Sequence, residues 1–119
     1  MAEEKSEIAK RAYDFALRVI RMASVLPRNS INSVLVRQVV RSATSIGANI
    51  EETLGAHTKS DFTYGMNIAK KEARETRYWL RIIADVDQSV KSRMASLLQE
   101  SEEIINILTK IVKTSKKNL

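Results

Sequence analysis

The chain has no cysteine, one proline, three glycines and one histidine among its 119 residues. Without cysteine there can be no disulfide and no thiolate metal site. Scarcity of glycine and proline argues against long irregular loops and most β architectures. A single histidine, His57, cannot supply the paired Glu-x-x-His motifs of a di-iron bundle, and position 54 is Leu. The helical ribonuclease pattern of Arg followed four to six residues later by His also fails, because positions 51 to 53 are Glu, Glu and Thr. His57 reads as a loop residue. No apolar run approaches the ~18 residues of a membrane span. The acidic start Met-Ala-Glu-Glu-Lys has no hydrophobic segment behind it, so a signal peptide is not expected. The expectation is a cytoplasmic protein without membrane association.

What is present is helical. Ala, Leu, Ile, Lys, Arg and Glu dominate, and these are good helix formers. The length suits one domain spanning residues 1–119. Ile8, Ala12, Phe15, Val19, Met22 and Leu26 repeat with the helical period over about Glu3 to Val25. Pro27 ends that segment, and Arg28-Asn29-Ser30 supply a turn and an N-cap. A second helix is expected to Leu54, ended by Gly55. A third, capped by Ser60 or Asp61, runs to Ala84. Asp85 and Asp87 then bracket a turn into a fourth, from about Gln88 to Thr114. Short connections make neighbours antiparallel. The expected fold is all-α, an up-down-up-down four-helix bundle with helices roughly 33–40 Å long.

The second helix carries an unusual stripe. Gln38, Arg41, Ser42, Ser45, Asn49 and Glu52 recur at three- and four-residue steps. Short hydroxyls and amides with one Arg and one Glu suit fixed hydrogen bonds rather than solvation. On the third helix the apolar arc is roughly 200° wide, twice what one core seam needs. Ile68, Trp79 and Ile82 lie in the surplus, which predicts a subunit interface. Glu72 and Glu75 fall inside the same arc and must be paired or protonated there. Arg41 is the obvious cation, with Gln38, Ser45 and Asn49 as further donors. These residues, with Glu52, predict a structural polar network between helices two and three, within one subunit or across two.

Charge gives a weaker hint. The chain carries 20 basic and 14 acidic side chains, a formal net charge of +6, which favours polyanions without naming one. Lys70, Arg74, Arg77 and Arg81 step by four, three and four along one flank of helix three. Arg11, Arg18 and Arg21 form a second cluster on helix one. A strip of this kind suits phosphate, with Arg and Lys neutralising backbone charge. Few aromatics interleave with it, so base stacking is not expected. The basic tail Lys110, Lys113, Lys116, Lys117 has a blander reading, compensation of the helix dipole. Glu72-x-x-Glu75 and Glu100-x-x-Glu103 resemble the acidic pairs that hold Mg²⁺ in all-α nucleotide pyrophosphohydrolases. Against that, the second pair lacks the final Asp and sits toward the polar side of helix four. No metal, cofactor or catalytic residue is assigned.

Two stretches resemble a known family. Helix two reads Val36-Arg37-Gln38-Val39-Val40-Arg41-Ser42-Ala43-Thr44-Ser45-Ile46-Gly47-Ala48-Asn49-Ile50-Glu51-Glu52. This follows the pattern Gln-x-x-Arg-x-x-x-Ser-Ile-x-x-Asn-Ile-x-Glu of the four-helix-bundle proteins encoded in 23S ribosomal RNA intervening sequences. Gln38, Arg41, Ser45, Ile46, Asn49, Ile50 and Glu52 fall on that pattern, and Glu75 matches the family's later carboxylate. Thr53 stands where the family often continues Glu-Gly, and Tyr78-Trp79-Leu80 suggests a sub-branch. The resemblance implies a ring-shaped homopentamer without established catalytic activity. The chain is also similar to the accessory variability determinant of diversity-generating retroelements, a basic bundle that assists a reverse transcriptase and contacts RNA. Two functions are therefore expected to compete. One is a non-enzymatic, RNA-associated homo-oligomer. The other is a protein-interaction scaffold serving a nucleic-acid enzyme.

Overall fold

The computed structural model describes the backbone of residues 2–119 and the side chains of residues 7–119. Four long helices follow one another: α1 (Ala2–Ser24), α2 (Ser30–Leu54), α3 (Lys59–Val86) and α4 (Lys91–Lys117), with one 3₁₀ turn at Gln88–Val90 before α4. No strand occurs among the described residues. Pairs of contacting residues run in opposite chain directions. Ser42 meets Thr76 while Thr53 faces Gly65, and Arg11 meets Glu100 while Arg18 meets Ser96. Each helix packs on its two neighbours, α1 on α2 and α4, and α3 on α2 and α4, with no diagonal packing among the described residues. This is the up-down-up-down bundle expected.

The helix ends are set by local chemistry. Asn29 caps α2, its side chain accepting the Asn32 backbone N–H. The cap of α3 is Thr58 rather than Ser60 or Asp61, its hydroxyl accepting the Asp61 N–H at 3.0 Å. A threonine hydroxyl three residues before a free N–H satisfies one of the orphan donors of the first turn. Asp87 caps the 3₁₀ turn rather than α4, through the Ser89 N–H, and α4 begins without a side-chain cap. Asp85 contributes its backbone carbonyl, which accepts from Gln88. Gly55 ends α2 as expected but at φ −99°, so no left-handed conformation explains it.

The core collects the periodic residues. Phe15, Val19, Ile46, Met66, Leu80, Met94, Ile104 and Leu108 are buried in one cluster. Three hydroxyl residues share it, Ser42, Thr76 and Ser101, each fully buried. Ser42 was expected on the α2 stripe that makes fixed hydrogen bonds, and it does so from inside the core. Its hydroxyl lies 2.9 Å from that of Thr76, which also reaches the Glu72 carbonyl at 2.8 Å. Buried hydroxyls need such partners, because an unmade bond costs about 1–3 kcal/mol.

At Gly65 the backbone of α3 passes close against α2. A Cβ there would sit inside the van der Waals radius of the Thr53 methyl, whereas the Thr53 Cβ is 3.6 Å away. Thr53 is held by its hydroxyl, which donates to the Ile50 carbonyl at 2.6 Å. Gly65→Ala gains about 1 kcal/mol in helix propensity against about 1–3 kcal/mol of overpacking. The net expectation is destabilisation in the wild-type background. In a Thr53→Ser background the methyl is gone and the hydroxyl kept, so the same Gly65→Ala change should stabilise. Urea midpoints of the four proteins in this cycle would show the change of sign. Destabilisation of equal size in both backgrounds would place the strain elsewhere.

Candidate functional site

Helix α3 presents two different flanks because its neighbours differ. Its α2 flank carries Glu72, Glu75 and Thr76; its α4 flank carries Lys70, Arg74, Arg77 and Arg81. On the α2 flank Arg41 reaches across to both carboxylates, with one amino group 3.3 Å from Glu72 Oε2 and the other bonded to Glu75 Oε2. The Trp79 indole N–H donates to the same Glu75 oxygen at 3.0 Å. That bond first, and Arg41 second, hold the Glu75 carboxyl below the ordinary carboxylate range against its partial desolvation. The Glu75 bond in turn raises the Arg41 guanidinium.

The network is smaller and wetter than the sequence implied. Ser45 donates to the Arg41 carbonyl at 2.7 Å and Asn49 to the Ser45 carbonyl at 2.7 Å. Both therefore bond back to their own helix rather than to the carboxylates. Gln38 and Glu52 make no side-chain hydrogen bond among the described residues, and Glu52 is exposed. The Arg41 side chain is 47% exposed, that of Glu75 37% and that of Glu72 17%, so water reaches the pair from the Arg41 and Glu75 side and it is not the fully buried one the sequence predicted. Pairs this exposed contribute about 0–1 kcal/mol. Arg41→Ala should accordingly lower stability by no more than about 1 kcal/mol. The sign of its pH dependence follows from Glu75, whose folded-state pKa is depressed. Its contribution is present above the unfolded carboxylate range and lost as pH falls through the lower folded value. Thermal melts from pH 6 to pH 3 should show Trp79→Phe losing less stability on acidification than wild type. Parallel profiles would remove Glu75 from the acid response.

Trp79 and Ile82 are half-buried and pack on the core of their own chain. Part of the surplus apolar arc is thus consumed within the chain itself. Ile68 is half-buried but does not join that core. Tyr78, 54% exposed, stands edge-on to Trp79 with ring centroids 5.3 Å apart.

The basic residues divide. Arg11 was expected beside Arg18 and Arg21 in a cluster open to phosphate. It is instead clamped by α4: its Nε and one amino group bond Glu100 at 2.7 and 3.0 Å, and that amino group reaches Glu103 at 2.7 Å. These bonds, Glu100 before Glu103, raise its guanidinium further. The signal was available in the sequence as the Glu100-x-x-Glu103 spacing, but the partner lay 89 residues away. Arg18 donates to the Ser96 hydroxyl at 2.6 Å, and Arg21 is exposed. Lys70, Arg74, Arg77 and Arg81 form no ion pair among the described residues. Arg74 and Arg81 are exposed, while Arg77 lies partly buried with its Nε unpartnered. Near Arg81 a groove of about 230 Å³ opens between α3 and α4, lined also by Asp85, Lys91 and Leu98. Lys91 is thus a basic neighbour of the strip that helical spacing on α3 could not reveal.

The two Glu-x-x-Glu pairs face different helices, Glu72 and Glu75 toward α2, Glu100 and Glu103 toward α1. Each is matched by an arginine, and they do not converge on one ion. No group of three or more metal-ligating side chains occurs among the described residues. His57 is exposed in the α2–α3 connection. No helix among the described residues is long and apolar enough to cross a membrane.

The geometry can be set beside known proteins. A crystal structure from Bacteroides thetaiotaomicron, described as a protein of unknown function from the S23 ribosomal protein family, superposes with a TM-score of 0.84. It is 34% identical and covers 92% of this chain and 98% of its own. No curated protein matches the chain. A family model described as 23S rRNA-intervening sequence protein matches residues 4–110. With the match running over all four helices, the chain belongs to the 23S rRNA-intervening sequence protein family.

Proposed function

We propose that this protein is a non-enzymatic homo-oligomer that holds RNA through its sugar-phosphate backbone. The observation that carries the reading is the α3 strip of Lys70, Arg74, Arg77 and Arg81, four cations without an acidic partner among the described residues. Arginines left unpaired beside one another repel, and an anion relieves that repulsion. Lys91 extends the strip across the α3–α4 groove, and Arg18 and Arg21 add charge on the α1 side of α4. Assembly matters to affinity, because several weak phosphate-binding strips on one rigid body bind a long polyanion far more tightly than one alone. The family resemblance makes five subunits the best count. Ile68, Trp79 and Ile82 remain the residues of α3 proposed to lie in or beside the interface.

The test is RNA binding measured across a salt series. Phosphate neutralisation predicts affinity falling log-linearly with salt, at a slope of about −0.7 per phosphate on a single strand. A shallow slope, or no binding at 50 mM salt, would leave the competing role, a scaffold for a partner enzyme. In that event the basic strip would be a solvated face.

A further inference from the structure

Residues 15–50 contain no carboxylate and no lysine, yet hold Arg18, Arg21, Arg28, Arg37 and Arg41. A surface that only meets water mixes lysine with glutamate. Arginine alone suits a place where a rigid fork of donors meets an anion. Of these five, Arg41 finds carboxylates on Glu72 and Glu75, and Arg18 donates to the Ser96 hydroxyl. Arg28 and Arg37 have no hydrogen bond or ion pair among the described residues.

Those two arginines line one cavity of about 490 Å³, where α1 turns into α2. Ala23, Leu26, Pro27 and Val36 give it an apolar floor, and no acidic side chain lines it. Its walls are held by local bonds. Asn29 accepts the Asn32 backbone N–H at 2.8 Å, and buried Asn32 donates its side-chain amide to the Pro27 carbonyl at 2.7 Å. The turn carrying Arg28 is therefore fixed before any ligand arrives, which spares part of the ordering cost of binding. On α2, Ser33 and Arg37 are four residues apart and share one face. The Ser33 hydroxyl lines the same cavity and has no partner among the described residues.

We infer that this cavity binds a phosphomonoester carried on a flat, largely apolar body, the chemistry of a nucleotide. A terminal phosphate has a charge of about −1.5 to −2 at neutral pH, which matches two guanidinium groups. A carboxylate would leave one of them unanswered. Three terminal oxygens also offer acceptors for two arginine forks and the Ser33 hydroxyl, where a carboxylate has only two. The space is far more than bare phosphate fills and lies within the ~300–1,000 Å³ of small-molecule sites. Its apolar floor suits a base, on which an arginine plane can also stack. The site goes beyond the RNA reading and is independent of the α3 strip. Two sources could supply the group, a free nucleotide or the 5′-phosphorylated end of an RNA.

The test is titration of the protein with adenosine 5′-monophosphate, followed by two-dimensional amide NMR. Saturable shifts should centre on residues 23–37, with a Kd below about 1 mM. Adenosine and inorganic phosphate should each bind about tenfold more weakly or worse, since each forfeits half of the site. Affinity should also fall as pH drops through about 6, where the phosphate loses its second charge. Arg28→Gln and Arg37→Gln, checked for helicity by circular dichroism, should each weaken binding about tenfold. Arg74→Gln with Arg81→Gln on the α3 strip should leave it unchanged, even where RNA binding is lost. Ser33→Asp gives a second route if a glutamine variant loses helicity. An acid in the first turn of α2 favours the helix but neutralises the arginines, so binding should fall while stability holds. No saturable shift by about 5 mM, shifts centred on α3, or binding indifferent to the Arg28, Arg37 and Ser33 changes would overturn the site. Adenosine binding as tightly as its phosphate would overturn the phosphomonoester. A short RNA with and without a 5′-phosphate then separates the sources. Tighter binding of the phosphorylated strand than of the mononucleotide supports an RNA end, and equal binding of the two strands supports the free nucleotide.

Discussion

Replacing Arg74 and Arg81 together with glutamate should lower RNA affinity about a hundredfold at 0.1 M salt. Each phosphate contact contributes about 0.7 to the slope of log affinity against log salt on a single strand, worth roughly fivefold at that salt. Two lost contacts account for about twenty-five-fold, and the new carboxylates repel the phosphates besides. Both positions are exposed and unpaired, so the fold should not pay for the change. Arg77 is the poorer target, since its buried Nε lies against the protein and reversal there would confuse binding with stability. Fluorescence anisotropy at several salt concentrations gives affinity and slope together. A flatter slope with weaker binding supports the strip. Unchanged affinity and slope would move any RNA contact elsewhere.

Phe15→Ala should be the most destabilising single truncation considered, costing about 3–5 kcal/mol. Phe15 is 1% exposed and lies in the central cluster. Removing its ring leaves a cavity whose walls are helices, which cannot collapse without moving their whole length. Domains of this size have about 5–15 kcal/mol in total, so the variant should melt about ten degrees lower or more. Comparison at one protein concentration is essential, because association would add to apparent stability. A urea midpoint that falls with an unchanged slope would locate the loss in the native core. A cost under about 1 kcal/mol would mean that α1 docks loosely on the other three helices.

The four helices and their antiparallel order were legible in the chain because they rest on local rules. Ile8 through Leu26 and Met94 through Val112 mark their buried faces by a period that needs no partner to be recognised. Pro27 and the Asn29 cap stop and start helices through backbone chemistry within a few residues. Membership of the family was legible for a similar reason, being carried by the spacing of Gln38, Arg41, Ser45, Asn49 and Glu52.

Which side chains meet was another matter. Helical spacing places Glu72 and Glu75 opposite Arg41, but it does not say that water reaches the pair, so a buried network was expected where a half-exposed one stands. It cannot tell that Ser42 meets Thr76 in the core, since a small rotation of the helix decides which seam a borderline residue joins. Arg11 shows the limit most plainly. On its own helix it is one of three evenly spaced arginines, and only the docking of α4, 89 residues away, assigns it to Glu100 and leaves the α3 strip unpaired. Periodicity is a property of one helix, whereas pairing, exposure and the free surface depend on the rotation and height at which helices pack, and those are set by the whole core at once.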